Sequence, residues 1–208
     1  MAVFGGYETV RELKRTGLGS VWLARASRSP DAPLTHVIKL RESVAELIGV
    51  ERSERSIAQF LESAEIQRTA PAFADPASPG PSSPGSAKRS LAPIRSAGRQ
   101  GETAYIIGEY HPRSLGSIAG RVRVDAVDMR KVAQAGATAL RQLLATGRVH
   151  ANLKPGNILF TGDAELAEAE VRIDDPAPTA GGSALDIQND LRELARQLVL
   201  LATGKPFD

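Results

Sequence analysis

Apolar and polar residues alternate near the start of the chain. Tyr7, Thr9, Val10 and Leu13 form one run and Val21, Trp22, Leu23 and Ala24 a second, with the small-residue turn Thr16-Gly17-Leu18-Gly19-Ser20 between them. A period near two broken by glycine predicts a β-hairpin. A third strand is expected at His36 to Leu40, after a proline-containing loop at Ser29 to Pro33. From about Ser53 to Thr69 the period lengthens, and Ile57, Phe60, Leu61, Ala64 and Ile66 fall roughly on one helical face. Strand character returns at Leu91 to Ser96 and at Ala104 to Tyr110, joined by the turn-like Arg99-Gln100-Gly101-Glu102. A long helix is expected from about Val127 to Thr146, with Val132, Ala135, Ala139, Leu140, Leu143 and Leu144 on a broad apolar face and Gly147 as C-cap. A hairpin follows Phe160, its acidic connection Glu165, Glu168 and Glu170 read as a solvated turn. A last helix runs from Ala184 to Thr203, with Leu191, Leu194, Leu198 and Leu201 at helical spacing, and Gly204-Lys205-Pro206 stops it.

Composition interrupts this pattern once. From Pro71 to about Gly98 the chain is rich in Pro, Ser, Ala and Gly and has little to bury, so this stretch is expected to be a disordered insertion. The remaining chain, within a total of 208 residues, has room for one domain or two small lobes. No apolar run approaches a membrane span and the first residues lack a signal peptide's basic and apolar regions, so a soluble, cytoplasmic protein is expected, with no membrane partner. The chain has no cysteine, which excludes disulfides, thiolate metal sites and a cysteine nucleophile. His36, His111 and His150 show no metal-ligand spacing. A formal charge of +2 and 4% aromatic residues give nucleic acid little to bind. The abundance of Ala, Arg, Gly and Pro is compatible with a bacterial source.

The densest motif is Gly147 to Phe160, G-R-V-H-A-N-L-K-P-G-N-I-L-F. It resembles the H-R-D-L-K-P-x-N-I-L catalytic loop of eukaryotic-type Ser/Thr protein kinases, matching at His150, Leu153, Lys154, Pro155, Asn157, Ile158 and Leu159. Ala151 and Asn152 stand where that family has Arg and Asp. In the family the Asp accepts or orients the substrate hydroxyl's proton and the Asn helps hold a second magnesium ion. A carboxamide takes up no proton near neutral pH, so Asn152 removes a general-base contribution of roughly 10²–10⁴ in rate. Asn157 is kept.

The resemblance extends along the chain and weakens as it goes. The family's glycine-rich loop falls on Lys14, Thr16, Gly19 and Val21, leaving only its third glycine, so the lid is expected to fit nucleotide poorly. Lys39 in H-V-I-K-L resembles the strand lysine that contacts the α- and β-phosphates. Its helix partner falls near Ser63, with Glu62 and Glu65 on either side and Glu65 favoured. The metal-binding D-F-G corresponds to Asp175-Pro176-Ala177, which keeps the carboxylate but has proline in the switching position. Only 14 residues, Pro176 to Asn189, precede Asp190, and no A-P-E occurs, so a peptide-presenting activation segment is missing. Asp190 and T-G-K-P-F resemble the helix after that segment.

The resemblance therefore implies an α+β, bilobal kinase-like fold. Its N-lobe, residues 1–110, has a five-stranded antiparallel sheet plus helix and carries the insertion. A reduced, truncated helical C-lobe spans 111–208, because the chain ends at Phe207-Asp208 before the family's later helices. It implies a catalytically inactive pseudokinase, a signalling scaffold or regulatory module. His150, Asn152, Lys154 and Asn157 form its degenerate loop; Lys39, Glu65, Gly19 and Lys154 are a vestigial nucleotide site; Asn157 and Asp175 are candidate metal ligands. No cofactor is required, and ATP with magnesium is expected to bind weakly or not at all. A protein partner, a second copy or a C-terminal continuation is expected to cover the last helix through Leu191, Leu194, Leu198 and Leu201, because these together with Val199 and Leu200 wrap more of its circumference than one packed face needs. The other open reading is an ATP-binding enzyme with weak or altered phosphotransfer, using Lys39, Asn157 and Asp175.

Overall fold

The alternating segments become strands of one antiparallel sheet in the computed structural model, which describes residues 1–29, 31–72, 89–161, 166, 168–178 and 182–206. The chain divides into two units, Met1–Arg68 with Pro93–Tyr110, and Thr69–Ala92 with His111–Asp208.

In the first unit the strands are β1 (Val3–Phe4), β2 (Tyr7–Thr16), β3 (Gly19–Ala26), β4 (His36–Glu42), β5 (Ile94–Gln100) and β6 (Thr103–Glu109). Their order is β1-β2-β3-β4-β6-β5. The five expected strands are all there, and the two-residue β1, too short to show a period, adds a sixth at the edge. Gly17-Leu18 turns the β2–β3 hairpin, with Thr16 opposite Gly19. Gly19 is dictated by packing, because a Cβ there would lie 1.9 Å from the Leu40 carbonyl oxygen. Phe4, Ala24, Ile38 and Ile107 form a buried cluster on one sheet face, with Tyr7, Leu40 and Tyr105 against it.

Two helices follow β4, the single turn α1 (Ala45–Ile48) and α2 (Val50–Thr69). The second starts three residues before the expected Ser53, because Ser53 turns inward and its hydroxyl accepts the Val44 N–H (2.9 Å). The Arg41 guanidinium lies over the Phe60 ring at 5.4 Å, and Arg99 of β5 grips Glu54 with two hydrogen bonds of 2.6 and 2.8 Å. These contacts join the helix to the sheet.

The expected insertion ends earlier than Gly98. Residues 73–88 lie outside the described residues, but Ile94–Gln100 is strand β5 and residues 89–92 belong to the second unit. Apolar Leu91 and Ala92 account for that early return, since both are buried.

The second unit holds β7 (Arg113–Ser114), α3 (Leu115–Ile118), α4 (Ala126–Leu144), β8 (Ile158–Phe160), β9 (Val171–Ile173) and α5 (Ala184–Thr203). Asp125 caps α4, its carboxylate accepting the Val127 and Asp128 N–H groups while Asp128 reaches back to the Asp125 N–H. Such a cap contributes about 1 kcal/mol. The helix ends at the cap Ala145, two residues before the expected Gly147, which takes a φ of +70° where the chain turns into the next loop. Val132, Gly136, Ala139, Leu140 and Leu143 make its buried stripe. At Gly136 an added Cβ would fall 2.5 Å from a Leu194 methyl, so glycine lets α5 approach closely. Strand β9 pairs with β8 and bridges to Leu91, and Ser90 donates its N–H to the buried Gln142 side chain.

Of the acidic connection between β8 and β9, Glu165 lies outside the described residues, while Glu168 and Glu170 are exposed. Ser183 caps α5 and Gly204, at φ +68°, ends it, matching the expected span. Leu194 and Leu201 are buried in this unit's core, Leu198 is half-buried, and Leu191 is 51% exposed. Burial withdraws two of the four leucines from any partner surface. Among the described residues no helix is long and apolar enough to cross a membrane.

Candidate functional site

The loop between α4 and β8 is anchored by a carboxylate 40 residues further along the chain. Asp190 of α5, 4% exposed, accepts the His150 N–H (2.6 Å) on one oxygen and the Ala151 N–H (2.8 Å) on the other. Charge-assisted bonds of this kind are the strong ones, and they hold Ala151 at a φ of +49°, which a non-glycine residue rarely adopts. The sequence showed Asp190 only as part of a helix motif. Its signal was position: Asp190, Leu194, Gln197 and Leu201 share the buried stripe of α5, and an acid on such a stripe needs a partner.

His150 is fully buried. Burial pushes its imidazole below the ordinary histidine value, and the neighbouring Asp190, Asp174 and Asp175 offset this only in part. The ring is therefore neutral, and its hydrogen bonds assign the tautomer. Nε2 faces the Asp174 carbonyl (3.1 Å) and donates, while Nδ1 accepts the Asn152 N–H (3.3 Å). His150 also accepts the Ala177 N–H on its carbonyl (2.8 Å), beside the fully buried Pro176. The segment after β9 is thus packed against the loop as core.

Around this frame the polar residues converge. The Asn152 Nδ2 donates to the backbone oxygen of Asp175 (2.7 Å) and to its carboxylate (3.1 Å), and the Asn152 Oδ1 accepts from Lys154 Nζ (3.0 Å). Asn157, on the 3₁₀ turn Pro155–Asn157, donates its Nδ2 to the Asn152 carbonyl (2.9 Å), and its own carbonyl accepts the Asp174 N–H (2.9 Å). Asp175 itself sits at φ +61°, a second left-handed non-glycine residue. His150, Asn152, Lys154, Asn157 and Asp175 therefore form one network. Its central group is an amide with both ends engaged.

The candidate metal ligands Asn157 and Asp175 both belong to this network. Magnesium asks for near-octahedral oxygen coordination, and the Asn152 amide already donates to the carboxylate. Among the described residues no three His, Cys, Asp or Glu side chains cluster to hold a metal.

No protein-family model matches the chain, and no curated protein matches it. Among solved structures, the kinase domain of Mycobacterium tuberculosis PknI aligns in two mutant forms. The double mutant gives a TM-score of 0.64 at 18% identity, covering 99% of this chain and 78% of that one. The single mutant gives 0.63 at 18% identity, covering 100% and 78%. The fold is that of a protein kinase domain.

Within this kinase fold the second unit carries the network around the loop Gly147 to Phe160, and the remaining predicted residues lie in the first unit. Lys39 is half-buried on β4, opposite Val21 and Ile106. Gly19 is held by the close approach of the Leu40 carbonyl. Glu65 is exposed on α2, and its carboxylate accepts two bonds from Arg68 (2.7 and 2.9 Å).

Proposed function

We propose that this kinase-fold chain is a catalytically inactive pseudokinase that works as a protein-binding scaffold or regulatory module in the cytoplasm. One observation carries the reading: the position of the general base holds Asn152, whose amide is bound to Asp175 on one side and to Lys154 on the other. A carboxamide so engaged offers a substrate hydroxyl no proton acceptor. The side chains of Lys14 and Thr16, where the family has glycine, argue in the same direction. What persists is the framework, the Asp190 anchor and the buried His150, which serves shape rather than turnover.

The test is ligand-induced stabilisation. A ligand selective for the folded state adds RT ln(1 + [L]/Kd) to stability, so ATP with magnesium or manganese at millimolar concentration should leave the melting temperature unchanged. A saturable shift with micromolar affinity would overturn the expectation of weak or absent nucleotide binding, and phosphotransfer abolished by Asn157→Ala or Asp175→Ala would overturn the proposal.

A further inference from the structure

We propose that the curled face of the first unit's sheet is a binding site for a neutral, ring-containing small molecule. The curl is visible at Gly5. Strand β1 pairs at one edge of the sheet, yet a Cβ on Gly5 would lie 2.8 to 3.1 Å from Ile107, Ser96 and Tyr105 on strands of the opposite edge. The β1 arm thus bends over the sheet like the lip of a half-barrel, with Phe4 5.7 Å from the Tyr105 ring.

Beside Phe4 the same face carries an open pocket of about 420 Å³, whose lining includes Trp22, Leu40, Thr9, Ser20 and Thr103 together with Arg15 and Glu42. That volume is within the range of roughly 300–1,000 Å³ typical of small-molecule sites. Alternation alone explains most of the lining, since Ser20 and Trp22 are two apart on β3 and Leu40 lies opposite both Ser20 and Tyr105. Val10 is the exception. Thr9 pairs with Ala24 and Arg11 with Leu23, so Val10 is the extra residue of a β-bulge, and it joins Thr9 in the pocket wall. Bulges re-aim side chains in this way and are enriched beside functional sites.

The chemistry of the wall selects the ligand. The Trp22 Nε1 donates to Ser20 Oγ (2.8 Å), and Thr9 Oγ1 is taken by the Ala2 backbone. These groups therefore present ring and aliphatic surface to an occupant. Of the charged lining residues, Arg15 is gripped by Glu12 (3.0 and 3.1 Å) with Glu42 close enough to act on its charge, so charges of opposite sign offset each other there. Thr103 contributes a neutral hydroxyl. An aromatic or alicyclic molecule with at most a hydroxyl group fits this wall.

Trp22 is the chain's one tryptophan and reports on the site directly. Titrating the full chain with neutral N-phenylnaphthylamine should give saturable energy transfer from Trp22 with one probe per chain. The Val10→Phe and Thr103→Phe proteins, shown folded by circular dichroism, should each bind roughly tenfold more weakly or worse, as should the anionic anilinonaphthalene sulfonate with the unaltered chain. If Val10→Phe does not fold, Thr103→Phe decides. Transfer that never saturates, undiminished binding in a folded filled variant, or preference for the anionic probe would overturn the proposal.

Discussion

At Asn152 one carboxamide is divided between Asp175 and Lys154. Restoring a carboxylate there would set two negative groups about 3 Å apart and remove a donor, so Asn152→Asp should lower stability by about 1–3 kcal/mol in urea unfolding. Magnesium should recover part of that loss without phosphotransfer to a generic protein substrate. An unchanged urea midpoint would refute the role given to the amide. Asp190→Ala removes the acceptor of two amides and should cost roughly 2–4 kcal/mol, with Asp190→Asn milder because one side-chain oxygen remains. His150 adds a pH dependence. Its folded value lies below the ordinary 6.5, so below that pH the unfolded chain takes up a proton that the buried ring resists. Its contribution is complete above pH 6.5 and is lost as pH falls toward the lowered folded value. His150→Gln should flatten that limb of a urea midpoint against pH curve. The motif made His150, Asn152, Lys154 and Asn157 legible because they fall within one short stretch, and Asp175 because Asp175-Pro176-Ala177 corresponds to the family's D-F-G. Asp190's role was not legible, since it depends on a contact 40 residues away.

Elements were readable wherever length let a period repeat or a cap marked the end. Helix α5, bounded by Ser183 and Gly204, falls where the leucine spacing put it, whereas β1, β7, α1 and α3 have two to four residues each and carry no period. The onset of β5 at Ile94 was blurred by the proline and glycine content around it, because composition cannot see the ladder with β6 that orders the segment. The β2–β3 hairpin supports a discriminating test. Gly17→Ala meets nothing within 4 Å and should be nearly neutral, while Gly19→Ala puts a methyl into the Leu40 carbonyl and should cost more than about 2 kcal/mol. Equal melting temperatures for the two variants would mean that β3 and β4 do not approach as closely as the sheet requires.

For the whole molecule, the resemblance of the Gly147–Phe160 motif carried the kinase fold from sequence, although the aligned PknI domains share only 18% identity with this chain. Burial and strand pairing tolerate that divergence; chemistry at single positions does not. Exchange of the His150 and Ala151 amide hydrogens should follow the slow amides of α5, since one carboxylate on that helix holds both, and Asp190→Ala should accelerate exchange at the two positions together. Fast exchange at His150 in the unaltered protein would break that link. The same bond sets an order of events during synthesis. At about 5–20 residues per second, a ribosome needs several seconds to add the residues separating Ala151 from Asp190. Throughout that interval these two amides have only water as acceptor in place of the Asp190 carboxylate and nothing from α5 holds Ala151 left-handed, so this part of the chain reaches its final shape only after α5 has been made.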